Sequence, residues 1–276
     1  MTESKVTTPV HEHHFEFGKN WQKFLAQFNE QRVDQAIISL TEMLEEKNLA
    51  GLSFLDVGCG SGLFSLAAMR LEAEKVRSFD YDLQSVSCAR ELKNRFFPLA
   101  DTWVIEQGDV LDNNYLSSLG QWDLVYSWGV LHHTGSMWQA LENVSSLVKP
   151  SGKLFIAIYN NQGTASKIWL WVKKTYNDLP QGSKFLVLIP TFIRLWIPTM
   201  VLDLLKLKPF LHWRTYKSMR GMSPWTDVVD WVGGYPFEVA KPESIFNFFK
   251  ERGYVLEKIK TVGGRLGNNE FVFRKL

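Results

Sequence analysis

Short apolar runs and helically spaced apolar positions take turns along much of this chain. Leu52, Phe54, Leu55 and Val57 form a compact run, and Leu63, Phe64, Leu66, Ala67, Ala68 and Leu71 then recur at helical spacing. The first pattern predicts a buried strand and the second a helix packed along one face. The alternation continues. Strands are predicted at residues 76–80, 103–107, 122–128 and 153–159. Helices are predicted through Val86, Ala89 and Leu92 and through Met137, Ala140, Leu141, Val144 and Leu147. Strand and helix in alternation place the chain in the α/β class. A helix from Pro242 to about Arg252-Gly253 precedes two last strands, at 254–262 and 270–273. A glycine-rich loop at 263–269 joins them.

Two regions stand outside this rhythm. Residues 18–47 carry Trp21, Phe24, Leu25, Phe28, Val33, Ile37, Leu40 and Met43, which predict one or two leading helices. The stretch before them ends in His11-Glu12-His13-His14 and reads as a tail, with no partner cluster to make it a metal site. Residues 161–240 are extra material before the last helix. Their segment 185–207 is apolar enough to raise the question of a membrane. Pro190, Arg194, Pro198 and Asp203 interrupt it, and charge near the centre of a spanning helix is costly. The expectation is therefore a packed helical pair in a lid rather than an integral span, with peripheral lipid contact left open. Trp169, Trp171, Tyr176, Trp196, Trp213, Tyr216, Trp225, Trp231 and Tyr235 enrich this region. Most of them are expected in its core and a few in an aromatic pocket.

The most specific motif is Leu55-Asp56-Val57-Gly58-Cys59-Gly60-Ser61-Gly62, standing between the first strand and its helix. Glycines there let the backbone turn sharply and let a ligand approach it, while the helix beyond offers free N–H groups. A dinucleotide loop would carry its third glycine one residue later, at Leu63, and a phosphate loop would end in Gly-Lys-Ser/Thr. Neither is present. Asp56 would repel a pyrophosphate but suits an ammonium. Further on, the second strand ends at Asp80, the third at Gly108-Asp109, and the fourth runs into Ser127-Trp128-Gly129-Val130-Leu131-His132-His133. Lys149-Pro150-Ser151-Gly152 predicts a turn into the fifth strand.

These four landmarks over residues 52–160 resemble the class I S-adenosylmethionine-dependent methyltransferases, with the Leu-His-His segment similar to small-molecule enzymes of the ubiquinone-biosynthesis type. The resemblance implies a Rossmann-like fold: a seven-stranded, mostly parallel sheet with an antiparallel last strand, N-terminal helices and a helical lid insertion. It divides the chain into a tail and cap helices (1–50), a cofactor-binding core (51–160), a lid (161–240) and the closing helix and hairpin (241–276). It implies S-adenosylmethionine as cofactor, held by Asp56, Gly58, Cys59, Gly60, Gly62, Asp80, Tyr81, Asp109, Val110 and Ser127. Asp80 would face the ribose hydroxyls, Asp109 the adenine amino group and Val110 the ring. Asp82 reads instead as a helix cap.

Methyl transfer needs an acceptor lone pair aligned behind the methyl, water kept out, and a base where the acceptor loses a proton. His132 and His133 are the candidates for that base, because imidazole titrates near neutrality. The competing reading gives at least one of them a hydrogen bond within the loop. Trp128, Tyr159, Tyr235, Glu238, Arg265 and Asn269 are candidate acceptor contacts, against the alternative of a solvated loop.

Composition narrows the partners. The chain has 276 residues and net charge +2, which argues against an extended nucleic-acid footprint. Cys59 and Cys88 cannot make a disulfide framework, and residues 1–5 lack a signal peptide's apolar core, so a cytoplasmic protein is expected. The leading expectation is a methyltransferase acting on a small molecule, without a metal. The alternatives are a tRNA or protein methyltransferase, or a non-catalytic S-adenosylmethionine-binding module.

Overall fold

The computed structural model describes residues 28–214, 224–264 and 266–276. The tail histidines, Trp21, Phe24, Leu25, Tyr216 and Arg265 therefore lie outside the described residues. Seven strands form one sheet in the order β3-β2-β1-β4-β5-β7-β6. Their ranges are β1 Ser53–Val57, β2 Lys75–Asp80, β3 Trp103–Gln107, β4 Trp122–Trp128, β5 Val148–Tyr159, β6 Tyr254–Lys260 and β7 Asn268–Lys275. The first five run parallel, while β7 pairs antiparallel with both β5 and β6. Every residue of β1 is buried, as a strand covered on both faces must be.

Helices cover both faces. On one side lie α1 (Glu30–Leu44), α2 (Leu63–Arg70) and α3 (Leu83–Phe96), whose Leu40, Leu66 and Ala89 pack with Phe54 and Trp103. On the other lie α4 (Asn113–Leu119), α5 (Met137–Ser146) and, near the end of the chain, the helix Pro242–Lys250; Leu116, Leu141 and Ile245 pack there with Val125 and Ile156. The chain starts outward from β1 through β2 and β3, then returns to place β4 on the other side of β1. That reversal opens a crevice at the carboxyl ends of β1 and β4, where open α/β sheets bind ligands.

Three expectations need correction. The turn at Lys149-Pro150-Ser151-Gly152 is absorbed into β5. Val148 pairs with Trp122, pairing resumes at Lys153 with Leu124, and Ser151 takes the left-handed conformation (φ 63°) that lets the extra residues loop out. The insertion holds α6 (Thr164–Asp178), α7 (Phe185–Leu205) and α8 (Pro224–Gly233), with the closing helix Pro242–Lys250 as α9. The apolar stretch is thus one continuous helix across Pro190 and Pro198, not a helical pair. Residues beyond α8 bond to the loops after β4 and β5. The Glu238 N–H donates to the His132 carbonyl, and Ala240 bridges to Asn160. The aromatic residues are also less uniformly buried than expected. Tyr176 and Trp196 form a separate small core with Leu188, Val228 and Val232, whereas Trp171 and Trp225 are exposed.

Candidate functional site

The glycine loop is tied to β2 rather than to its own strand. Gly58 and Cys59 donate their N–H groups to the Phe79 carbonyl at 2.9 and 3.0 Å. Gly60 donates to one oxygen of Asp80 at 2.9 Å, and Asp82 donates its N–H to the other at 2.9 Å. The Asp80 carboxylate is thereby fixed in position, with lone pairs remaining on both oxygens. Burial pushes its pKa up to about 6. Gly58 has φ +75°, and a Cβ there would sit 2.4 Å from the Val130 side chain, so glycine is required twice over. Asp82 caps α3, accepting from the Gln84 N–H at 2.8 Å.

Asp56 lies at the base of the crevice. The Ser65 hydroxyl donates to it at 2.5 Å and is itself 2.7 Å from the Ser78 hydroxyl, which accepts the Trp103 indole N–H. This chain of polar groups crosses an apolar core, and burial raises the Asp56 pKa to about 7. Asp109 accepts the Leu111 N–H at 2.8 Å and so shapes the loop after β3, while Val110 is buried at the wall. Cys59 also faces the crevice, with burial holding its thiol protonated.

The two histidines part company. Leu131–His133 forms a single 3-10 turn after β4. His132 is buried behind the crevice wall, its ring 3.9 Å from the Tyr159 ring, and burial holds its pKa well below the ordinary value. His133 lines the crevice, and its Nδ1 is 2.6 Å from the Pro236 carbonyl. A carbonyl oxygen only accepts, so Nδ1 carries a proton.

The crevice encloses about 400 Å³, within the range of small-molecule sites. Asp56, Gly58, Asp80, Asp109 and His133 meet in it, joined by Tyr81, Trp128 and Tyr159. Other expected residues do something else. Ser127 is buried and donates to the Val57 carbonyl, joining β4 to β1. Glu238 caps α5 through the Met137 N–H at 2.9 Å. Asn269 accepts from Val262 N–H and donates to Asn160. Tyr235 is not among the residues lining the crevice. Sequence reasoning missed Phe64 and Tyr126 as crevice residues. The Tyr126 hydroxyl is buried with no hydrogen-bond partner, while its ring stacks on Phe64 at 4.8 Å between centroids. A tyrosine in the middle of the buried strand β4 was the readable signal, since its hydroxyl needs a partner.

Comparison with known proteins agrees with this arrangement. A family model described as a methyltransferase domain matches residues 28–216. The ribosomal protein L11 methyltransferase of Photobacterium profundum is 32% identical over 125 residues, 42% of this chain and 36% of that protein. The mitochondrial ubiquinone biosynthesis O-methyltransferase of Dictyostelium discoideum is 32% identical over 122 residues, 41% of this chain and 36% of that protein. These matches span little more than a third of the relatives' length. Among solved structures, the magnesium protoporphyrin IX methyltransferase of Synechocystis PCC 6803 superposes with a TM-score of 0.51 at 15% identity, covering 99% of this chain and 90% of that one. An O-methyltransferase family protein from Burkholderia thailandensis gives 0.53 at 14% identity, covering 89% and 55%. The family match extends over most of the chain and the sheet order agrees with it, so the chain belongs to the methyltransferase domain family, of the class I S-adenosylmethionine-dependent type.

Proposed function

We propose that this chain binds S-adenosylmethionine in the crevice and transfers its methyl group to a small-molecule acceptor, with His133 as the base. The observation that carries the reading is the meeting of Gly60, Asp80 and His133 in one crevice. The residues present fit the cofactor. Asp80 has acceptor capacity for two neighbouring hydroxyls, Val110 offers an apolar wall, and Asp56 supplies a carboxyl group at the base. Bound there, the cofactor supplies an electrophilic methyl on a sulfonium.

The remaining work falls to the chain's own side chains. Phe64, Trp128 and Tyr159 exclude water and present ring faces, which suits a flat or apolar acceptor. His133 Nε2 takes the proton of an acceptor hydroxyl, while the Pro236 carbonyl steadies the imidazolium that forms. A protein acceptor is the second reading, favoured by the matches to ribosomal protein L11 methyltransferases.

Calorimetric titration of S-adenosylmethionine into wild type, Asp80→Ala and Gly60→Arg tests the cofactor site. Wild type should bind and both variants should not; a wild type that gives no heat and no competition would sink the proposal. Transfer of a labelled methyl to an organic-extractable product, rather than to precipitated protein, distinguishes the two acceptor readings.

A further inference from the structure

The helix α7 presents an apolar face that nothing in the described fold covers. Leu186, Ile189, Ile193, Ile197, Val201 and Leu204 follow one another at helical spacing, and all are exposed, with Ile193 and Val201 at 48%. Only Leu188, Thr191, Trp196 and Asp203 of this helix are buried; Leu188 and Trp196 pack with Tyr176 of α6 and Val228 and Val232 of α8. Trp171 and Ile168 of α6 add to the exposed apolar surface, with Trp171 at 68%. A row of large aliphatic side chains of this length is well beyond the scattered exposure of an ordinary surface.

Charge in the same region is one-sided. Lys167, Lys174, Arg194, Lys206, Lys208 and Arg214 are exposed on residues 161–214, where the exposed acid is Asp178. The whole chain carries only +2. An exposed apolar row in a region with a surplus of exposed cations matches an anionic lipid surface, in which side chains enter the acyl boundary and cations meet phosphates. A second copy fits poorly. A twofold contact sets the same patch against itself, bringing like charges together. A spanning role is also disfavoured. One side of α7 is committed to α6 and α8, Arg194 stands midway along it, and Asp203 is buried in a bond to the His212 ring.

We infer that the outer face of α6 and α7 docks this protein peripherally on anionic phospholipid bilayers, with α7 lying along the surface. This goes beyond the acceptor reading and needs none of it.

The test is flotation of the full chain with vesicles through a density gradient, which separates lipid-bound protein from aggregate. Vesicles of phosphatidylglycerol and phosphatidylcholine are compared with phosphatidylcholine alone. Wild type should float with the anionic vesicles, at least tenfold less with the neutral ones, and less as salt rises. Lys206→Glu with Lys208→Glu should weaken flotation about tenfold. Ile193→Asp with Val201→Asp should abolish it, with thermal melting and circular dichroism unchanged because both positions are exposed. Wild type left at the bottom of the gradient with anionic vesicles overturns the inference. So does flotation unaffected by the aspartates, or a dimer by light scattering that the aspartates dissolve while no flotation occurs.

Discussion

The crevice and the insertion use polar and apolar residues in opposite ways. Around the crevice, the acids and His133 each have a definite bond. Asp80 holds Gly60 and Asp82, Asp56 holds Ser65, Asp82 caps α3, and His133 holds Pro236. In the insertion the apolar residues of α7 mostly face outward, and its own core is a small cluster around Tyr176 and Trp196. One region is built to fix a few atoms in place, the other to present a surface. The difference teaches that cofactor binding and whatever the insertion does are separable within one chain.

The harshest trial of that separation is to replace residues 163–233 by a short flexible linker. Residues 234–240 are kept because they carry the Pro236 carbonyl and the Glu238 cap. Acceptor turnover should vanish, whereas S-adenosylmethionine affinity by calorimetry should stay within about fivefold. Equal loss of both would make the insertion part of the core. Next in size is His133→Ala, expected to cut turnover by roughly 10²–10⁴-fold, the usual worth of a positioned base. Cofactor affinity should hardly move, since no loop contact to Asp80 depends on the ring. His132→Ala should instead reduce thermal stability, because it empties a buried site against Tyr159. If the two variants behave alike in turnover and melting, the division of roles between them is wrong.

The two regions also differed in how far they could be read beforehand. Around the crevice, function is written as spacing. Glycines at 58, 60 and 62 and acids at strand ends follow from backbone geometry that few other residues satisfy, so the tight loop, the place of Asp80 at the end of β2 and the cap at Asp82 were legible. Ser127 misled because strand register, not proximity to the loop, decides which way a side chain points. Glu238 misled because a carboxylate near a site can equally cap a helix. The different surroundings of His132 and His133 depend on a residue about a hundred positions away, Pro236, which no local pattern announces. In the insertion, apolar content was visible but its direction was not. Burial there depends on how three helices pack, and the prolines at 190 and 198 suggested a break where the helix in fact runs through both.

Asp56 gives a prediction of opposite signs. Its carboxyl, ordinarily near 3.8, is raised to about 7 by burial. Between those pH values the folded chain keeps a proton that the unfolded chain has released, so this group's contribution to stability falls as pH rises from about 4 to 7. Asp56→Asn keeps an acceptor for Ser65 and removes the buried charge. Without cofactor, it should gain up to roughly 4 kcal/mol at pH 8 and almost nothing at pH 4. Denaturant melts at the two pH values check this. Cofactor affinity should fall in the same variant, because the carboxyl at the crevice base is lost. A gain that is equal at both pH values would mean that burial of the charge is not what destabilises this end of β1.

The smallest effect separates two acids that stand side by side. Asp80 and Asp82 both line the crevice, and the Asp82 backbone N–H helps to hold the Asp80 carboxylate. The side chain of Asp82, however, is spent on the Gln84 N–H at the start of α3. Asp82→Ala keeps the backbone donor and loses the cap. It should cost about 1 kcal/mol of stability, the ordinary worth of such a cap, and shift S-adenosylmethionine affinity by less than threefold. Asp80→Ala should do the reverse, abolishing binding with a smaller change in melting, since its removal also relieves a carboxyl pushed up to about 6. Measured together by calorimetry and thermal melting, the pair tells whether the crevice separates binding from folding at the scale of single residues. Should Asp82→Ala cost as much affinity as Asp80→Ala, the cap itself would be part of the cofactor site, and α3 would have to be counted with the crevice.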